Sequence, residues 1–309
     1  MTTARRVVVV GFGSIGRRHA RVLSDLGCDV AVVSRRAVDH APVFSGLEEA
    51  LEVHEPEYVV IASRTSEHFD DLDRLAALGF DDAVLCEKPL YANLPSRRPN
   101  YPFRDLRVGY NLRFHPCVEM LGRLLSTREI LTASIYVGQY LPTWRPHEDY
   151  RSSYSSRADQ GGGALLDLSH DIDYALSMLG ACRRVTALGG KLSRLEIDSD
   201  DAFSLLLANE RCPVTSINVN YLDRVGRREM LLNCQGDTIT MDLIANEVRI
   251  DDEVYFAESA PRDTTYTLMH QAFLDGESER LCGYQEATEV LQVVEGARTS
   301  ARLASWVTL

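Results

Sequence analysis

The sequence has no apolar run near the ~20 residues that a membrane-spanning helix requires, so no membrane partner is expected. Its first apolar stretch, Val7–Val10, runs straight into glycines, which is not the layout of a secretory leader. Cysteines number seven, an odd and scattered total without a C-x-x-C pair. That argues against a disulfide or zinc framework; the expectation is reduced thiols in the cytoplasm and no metal. Positive charge is short as well. The 33 lysines and arginines face 45 aspartates and glutamates, for a formal net charge of −12. Nucleic acid is excluded as a partner, since phosphate backbones require a basic surface. A small anionic ligand is still accommodated wherever arginines cluster. Repeats and low-complexity tracts are absent, and 45% hydrophobic with 25% charged residues is an ordinary globular balance. The 309 residues suit two domains of ~100–200 residues, divided as 1–112 and 113–309.

What is present begins at the first twenty residues. Val7–Val10 reads as a strand buried on both faces, the pattern of parallel sheets covered by helices. Gly11, Gly13 and Gly16 follow with the spacing G-x-G-x-x-G, and an amphipathic helix opens after them. In that strand–turn–helix context the first glycine makes the turn, the second admits a pyrophosphate and the third lets helix and sheet pack closely. Gly11, Phe12, Gly13, Ser14, Ile15 and Gly16 are therefore assigned to a dinucleotide, held at the helix N-terminus. The second strand, Asp29–Val33, ends in Ser34-Arg35-Arg36, where an NAD site usually places an acid and an NADP site an arginine. The expected cofactor is NADP, with NAD as the alternative; the bland reading of the arginines is a solvated loop.

Glu57–Ala62 reads as the next buried strand, with Ser63 and Arg64 at its carboxyl end and His68 in the first turn of the following helix. Alone, such a histidine reads as structural or solvated. Ala83–Cys86 is a further strand, ending in Glu87-Lys88-Pro89. The proline keeps Lys88 extended at the carboxyl end of the sheet, where open α/β folds bind ligands. Desolvation there would lower a lysine's pKa toward proton-transfer chemistry. Taken alone, an ordinary surface ion pair with Glu87 is the better reading of Lys88. Tyr91 to Arg107 is rich in proline and arginine and reads as a loop or degraded helix.

In the second half, Tyr140–Arg157 concentrates aromatics, arginines and hydroxyls. Aromatic faces suit sugars and arginine forks suit carboxylates or phosphates. Gly161-Gly162-Gly163 then opens a predicted helix, roughly 164–179, whose apolar stripe is Leu165, Leu168, Ile172, Ala175, Leu176 and Leu179. Asp167, His170 and Tyr174 fall on the other side and either meet water or line a cavity. An imidazole beside a carboxylate is a plausible general base. From Arg184 onward the text is strand-like, with the alternation of antiparallel sheets buried on one face, and two helices close the chain near 266–275 and 284–305. The polar, uncharged Ser216, Asn218 and Asn220 suit an exposed sheet or a wet subunit interface.

Together, the glycine loop running to His19, the strand end Ile61–His68, the Glu87-Lys88-Pro89 step, Val108–Pro116 and Gly161–His170 resemble the glucose–fructose oxidoreductase/inositol dehydrogenase (Gfo/Idh/MocA) family across nearly the whole chain. The resemblance implies an N-terminal Rossmann doubly wound parallel sheet and a C-terminal α+β domain on an open, mostly antiparallel sheet. It implies NAD(P)-dependent oxidation or reduction of a sugar-like hydroxyl, and a homodimer or homotetramer joined through the open sheet face. By position, Lys88 matches the lysine that contacts nicotinamide ribose and substrate, and Glu87, Pro89 and His68 match positions that shape the cofactor site; the Lys–Pro peptide is often cis. Two departures stand out. The helix after Glu-Lys-Pro is largely replaced by Leu94–Pro99, and the family's catalytic Asp and His sit four apart whereas Asp167 and His170 sit three apart. Of His170 and Asp171, His170 is chosen because an imidazole works near pH 7. The expected enzyme moves a hydride between NADP(H) and a secondary hydroxyl or ketone of a sugar or nucleotide-sugar derivative. Lys88 or His170 would handle the proton and Asp167 would orient the base, while Arg113, Trp144, Arg145, Tyr150, Arg151 and Tyr174 would hold the substrate. A non-catalytic cofactor-binding sensor or partner subunit, or a reductase of a non-sugar substrate, are the competing classes.

Overall fold

The computed structural model describes residues 4–145 and 147–309. These form two compact units. The first comprises the chain up to Tyr91, Pro95–Phe114 and Pro261–Tyr284; the second comprises Ala92–Leu94, His115–Ala260 and Gln285–Leu309.

In the first unit, strands β1 (Arg6–Val10), β2 (Asp29–Val33), β3 (Val43–Phe44), β4 (Tyr58–Ile61), β5 (Ala83–Cys86) and β6 (Asp105–Val108) alternate with helices α1 (Ser14–Asp25), α2 (Leu47–His54) and α3 (His68–Ala77). The sheet order is β6-β5-β4-β1-β2-β3 and every one of these pairs is parallel. The four valines of β1 are 0–7% exposed, which is why their run carries no polar alternation. Val7, Val9, Val30, Val32 and Leu85 face a core completed by Leu23 of α1 and by Met269 and Phe273 of the helix Thr264–Leu274. The short strand Cys282–Gly283 adds antiparallel to β6 and forms the edge of the sheet. Tyr91–Arg104 forms neither helix nor strand. Aromatic contacts hold it instead, Tyr91 against Phe69 and Phe103 between Tyr101 and Phe80.

The second unit contains α4 (Pro116–Leu125), β7 (Ile130–Gly138), α5 (Leu141–Trp144), α6 (Ala164–Asp167), α7 (His170–Leu179), β8 (Cys182–Gly190), β9 (Ala202–Asn209), β10 (Val214–Asn220), β11 (Arg227–Cys234), β12 (Thr238–Asp242), β13 (Glu247–Ile250) and β14 (Glu253–Ala257). Its sheet runs β14-β13-β12-β11-β7-β10-β9-β8, with Val307–Thr308 beyond β8. All neighbours are antiparallel except β7 and β10. Phe203, Leu205, Ile217, Val219, Met230 and Leu232 point to the buried face. The other face carries hydroxyls and amides, with Ser204 bonded to Asn218 and Ser216 to Ser134, and exposes Leu188, Leu206 and Leu231.

One predicted element is corrected. The helix expected over 164–179 is two helices, broken at Leu168-Ser169. The Ser169 hydroxyl donates to the Leu166 carbonyl at 2.7 Å, and the Asp171 N–H reaches back only to Leu168. A serine that takes a nearby carbonyl competes with the helical ladder, and here it accompanies a tight turn between two helical segments.

Candidate active site

The strand–helix turn of the first unit has the shape of an anion cradle. Gly13 is the N-cap of α1 and no side chain caps the helix, so its first N–H groups have no intrahelical acceptor. A Cβ on Gly16 would lie 2.0 Å from the Gly11 carbonyl oxygen, and one on Gly11 would lie 2.7 Å from the Ala62 oxygen. Those two glycines are needed for packing. A Cβ on Gly13 would meet nothing within 4 Å. The second glycine thus borders open space in front of the helix dipole, and the residues fit a dinucleotide diphosphate. The place is the switch point of the sheet, since β2 and β4 flank β1 on opposite sides. Gly13 and Ser14 are exposed there, Phe12 and Ile15 half-buried.

At the end of β2, Ser34 Oγ accepts from the Arg36 N–H at 3.2 Å and closes a small turn. Arg35 and Arg36 are exposed, and among the described residues no ion pair holds either. At the end of β4, Ser63 donates to Asp71 at 2.5 Å, burial raises the Asp71 carboxyl, and Arg64 is exposed. His68 is buried at the start of α3. Its Nδ1 donates to the Pro89 carbonyl at 3.0 Å, which leaves Nε2 as the lone-pair nitrogen, without a partner among the described residues. Burial lowers its pKa and keeps the ring neutral.

Glu87 is buried just past β5. One carboxylate oxygen accepts the Lys88 N–H at 3.0 Å and the other lies 2.9 Å from His19 Nε2. Gly109 makes room for it, since a Cβ there would come within 2.8 Å of the carboxylate. Lys88 is half-buried, and the Lys88–Pro89 peptide is cis. The chain has only one other lysine, Lys191, which pairs with Asp201 at 3.2 Å. Arg113 also belongs to the first unit, half-buried in a 3-10 turn whose Asn111 donates to Thr265 at 2.6 Å.

In the second unit, Asp167 ends α6 and is buried. It accepts from the Tyr221 hydroxyl at 2.6 Å and is also hydrogen-bonded by Tyr154. Burial, with the Asp167 charge second, pushes both phenols above their usual range, so both stay protonated. Trp144 stands edge-on to Tyr221 at 5.2 Å, and the Arg145 guanidinium lies over Tyr154 at 5.7 Å. The Trp144 indole N–H is buried without a partner among the described residues. Trp144, Arg145 and Asp167 are therefore brought together through two tyrosines. Neither tyrosine was singled out from sequence. Tyr154 lay within the aromatic loop, and Tyr221 was masked by the apolar alternation of β10. Tyr150 and Arg151 gather instead around Glu196, Arg151 pairing with Asp149 as well. His170 opens α7 across the break from Asp167 and is half-buried. Tyr174 is fully buried, donating to Asp171 at 2.5 Å, and Arg228 pairs with the same carboxylate at 3.1 Å.

Residues 5–97 match the model of an oxidoreductase family with an NAD-binding Rossmann fold, Gfo/Idh/MocA, and residues 129–240 match the Gfo/Idh/MocA C-terminal domain. The chain belongs to the Gfo/Idh/MocA oxidoreductase family. The Gfo/Idh/MocA fold accounts for the glycine cradle, which is that of an NAD-binding Rossmann domain. No curated protein matches the sequence. Among solved structures, the WlbA dehydrogenase from Bordetella pertussis in complex with NADH and UDP-GlcNAcA has a TM-score of 0.80 at 21% identity, covering 99% of both chains. UDP-N-acetylglucosamine 3-dehydrogenase GnnA from Acidithiobacillus ferrooxidans has a TM-score of 0.77 at 20% identity, covering 98% of this chain and 99% of that one. A levoglucosan dehydrogenase in complex with NADH has a TM-score of 0.80 at 16% identity, covering 99% of both chains. At such identities the likeness is one of fold. Among the described residues no helix is long and apolar enough to cross a membrane.

Proposed function

We propose that this member of the family is a cytoplasmic NADP(H)-preferring dehydrogenase or reductase acting on a secondary hydroxyl or ketone of a nucleotide-sugar or related sugar derivative. The observation that carries the reading is the open space beside Gly13, together with Lys88 half-buried at the carboxyl end of the same sheet. The bound nicotinamide would accept or supply the hydride. Gly13, Ser14 and Ile15 would hold the diphosphate through main-chain N–H groups. Arg35 and Arg36, with no acid in their turn, would take a ribose 2′-phosphate. His68 Nε2 would accept a hydrogen bond from the cofactor. Lys88 or His170 would carry the substrate proton. The Trp144 N–H and Arg145 would donate to the substrate, and Asp167, clamped by two phenols, would hold their arrangement. Nucleotide sugars are favoured because one solved structure of the same fold is in complex with UDP-GlcNAcA and another is a UDP-N-acetylglucosamine 3-dehydrogenase. The exposed leucines and polar rows of the open sheet face support a homo-oligomer assembled there.

The test is turnover, followed by reduced-nicotinamide absorbance, of UDP-hexuronic acids, UDP-N-acetylhexosamines, free hexoses and inositol with NAD and NADP in parallel. Oxidation of a sugar derivative with a higher kcat/KM for NADP is the expected result; a clear preference for NAD sinks the arginine assignment. The irregular segment after Pro89 favours a second reading, a cofactor-binding partner without turnover. Tight nucleotide binding with no reaction across that panel would support it.

A further inference from the structure

Four buried polar side chains of the first unit form one continuous hydrogen-bonded file that the chemistry above does not use. Glu87 lies 2.9 Å from His19 Nε2, His19 Nδ1 lies 2.7 Å from His270 Nε2, and His270 Nδ1 lies 2.9 Å from the Tyr58 hydroxyl. Exposure is 0% at both imidazoles, 2% at Tyr58 and 6% at Glu87. Glu87 follows the carboxyl end of β5, whereas Tyr58 opens β4, so the file runs from one edge of the sheet to the other. At that amino edge Tyr58 lines a cavity of about 340 Å³ with Arg5, Arg104, Asp105, Phe273 and Ser278. The titratable and charged groups facing the file are His68 and Cys86 near Glu87, Tyr266, edge-on to His19 and itself under Arg18, and Cys28 and Asp105 near Tyr58. None of these interrupts it.

A buried imidazole in a purely structural role needs only some partner for each nitrogen. These two are partners of each other, so the tautomer of one dictates that of the other. We propose that Glu87, His19, His270 and Tyr58 form a proton relay through which Glu87 gains or loses its proton at the far edge of the sheet. The proposal rests on the reading of Glu87-Lys88 as the reacting end of the cofactor site. It lets Glu87 change its charge while cofactor covers the carboxyl edge.

The hydrogens balance. With Glu87 ionised, Tyr58 donates to His270 Nδ1, His270 Nε2–H to His19 Nδ1, and His19 Nε2–H to Glu87. One proton enters from cavity water onto Tyr58 and each hydrogen moves one bond along. Glu87 is then neutral, both rings carry hydrogen on Nδ1, and the reverse shift returns the proton to the cavity. No electrons move and no ring turns. Burial, with His19 second, lowers the His270 pKa well below its ordinary value, which keeps the ring neutral at rest as the file requires. His19, His270 and Tyr58 are positioning residues, acting on chemistry only through Glu87.

The test is side-chain nitrogen NMR on histidine-labelled protein, without cofactor, so its outcome is separate from whether nucleotides bind. In Glu87→Gln the side-chain oxygen must still accept the Lys88 N–H, which turns the amide N–H toward His19 Nε2. Both His19 and His270 should then pass from the Nε2–H to the Nδ1–H tautomer. A His270 that keeps its tautomer, although it never touches residue 87, overturns the relay. Tyr58→Phe keeps the ring packed on Phe273 but ends the file. It should slow solvent exchange of both imidazole N–H protons by roughly tenfold or more, at matched global stability, while exchange that is unchanged or faster overturns the proposal.

Discussion

Replacing Gly13 and Gly16 separately by alanine divides what the fold needs from what the cofactor needs. In Gly16→Ala the new methyl would sit 2.0 Å from a backbone carbonyl oxygen, and backbone cannot step aside as a flexible side chain can. Overpacking of this kind costs about 1–3 kcal/mol, which lowers Tm by roughly 2–12 °C in a protein of this size. Gly13→Ala is different. Its φ is −76°, open to any residue, and no protein atom lies within 4 Å of the new Cβ. The entropy gained in the unfolded chain, about 0.4–1 kcal/mol, offsets a weaker N-cap of similar size, so Tm should stay within about 3 °C. The methyl would nevertheless stand where a diphosphate must approach. Losing one charge-assisted hydrogen bond, about 1.5–3 kcal/mol, weakens NADPH or NADH about ten- to hundredfold. Thermal melts and fluorescence titration of the two variants provide the measurement. A Gly13→Ala protein that binds nucleotide within about twofold of wild type would refute the cradle.

Lys88→Ala should lower kcat about a hundredfold or more with little change in nucleotide affinity, measured by steady-state kinetics on a confirmed substrate; a loss under about threefold contradicts the proton role. Replacing Arg35 and Arg36 together by alanine should weaken NADPH roughly tenfold and leave NADH unaffected, read by parallel titrations. Arg228→Leu removes the ion-pair partner of the fully buried Asp171 carboxylate, leaving its hydrogen bond from Tyr174, and should cost about 3 kcal/mol in urea unfolding. Stability should also fall as pH drops below about 6.5. Burial depresses the pKa of His68, His115 and His270, so the unfolded chain binds protons that the folded one does not, and this contribution is complete only above the unfolded histidine value. The slope is up to about 1.4 kcal/mol per pH unit for each imidazole, visible in a urea series between about pH 8 and about pH 5.5. Asp71 and Asp200, raised by burial, act in the opposite sense only where carboxylates titrate. A flat or rising stability on acidification would contradict the assignment.

Much of the fold was legible because burial leaves a period in the sequence. Val7–Val10 could hardly be anything but a strand covered on both faces, and Thr238–Asp242 alternates to its very ends. The break at Leu168-Ser169 was not legible, because Leu165, Leu168 and Ile172 continue the apolar stripe through it. Periodicity records which side chains are buried and not which carbonyl each N–H reaches. The glycine cradle and the Glu87-Lys88 step are local in sequence and could be named at once. The groups that engage them are not. His19 and His270 are 251 positions apart and meet only because the helix Thr264–Leu274 returns to α1. Tyr221 continues the apolar alternation of β10 one residue past its end, and nothing in that alternation shows that its hydroxyl reaches Asp167. The helical period turns Tyr174 away from the apolar stripe, toward water or a cavity, yet it is in the core, because a phenol with a buried carboxylate to bond can be wholly enclosed.

Calorimetric titration of NADPH and of NADH into the purified wild-type chain addresses the dinucleotide site itself. One saturable site per chain, tighter for NADPH, is the outcome that follows from the open turn at Gly13 and the paired arginines. The absence of heat with either nucleotide, from protein shown to be folded, would contradict it.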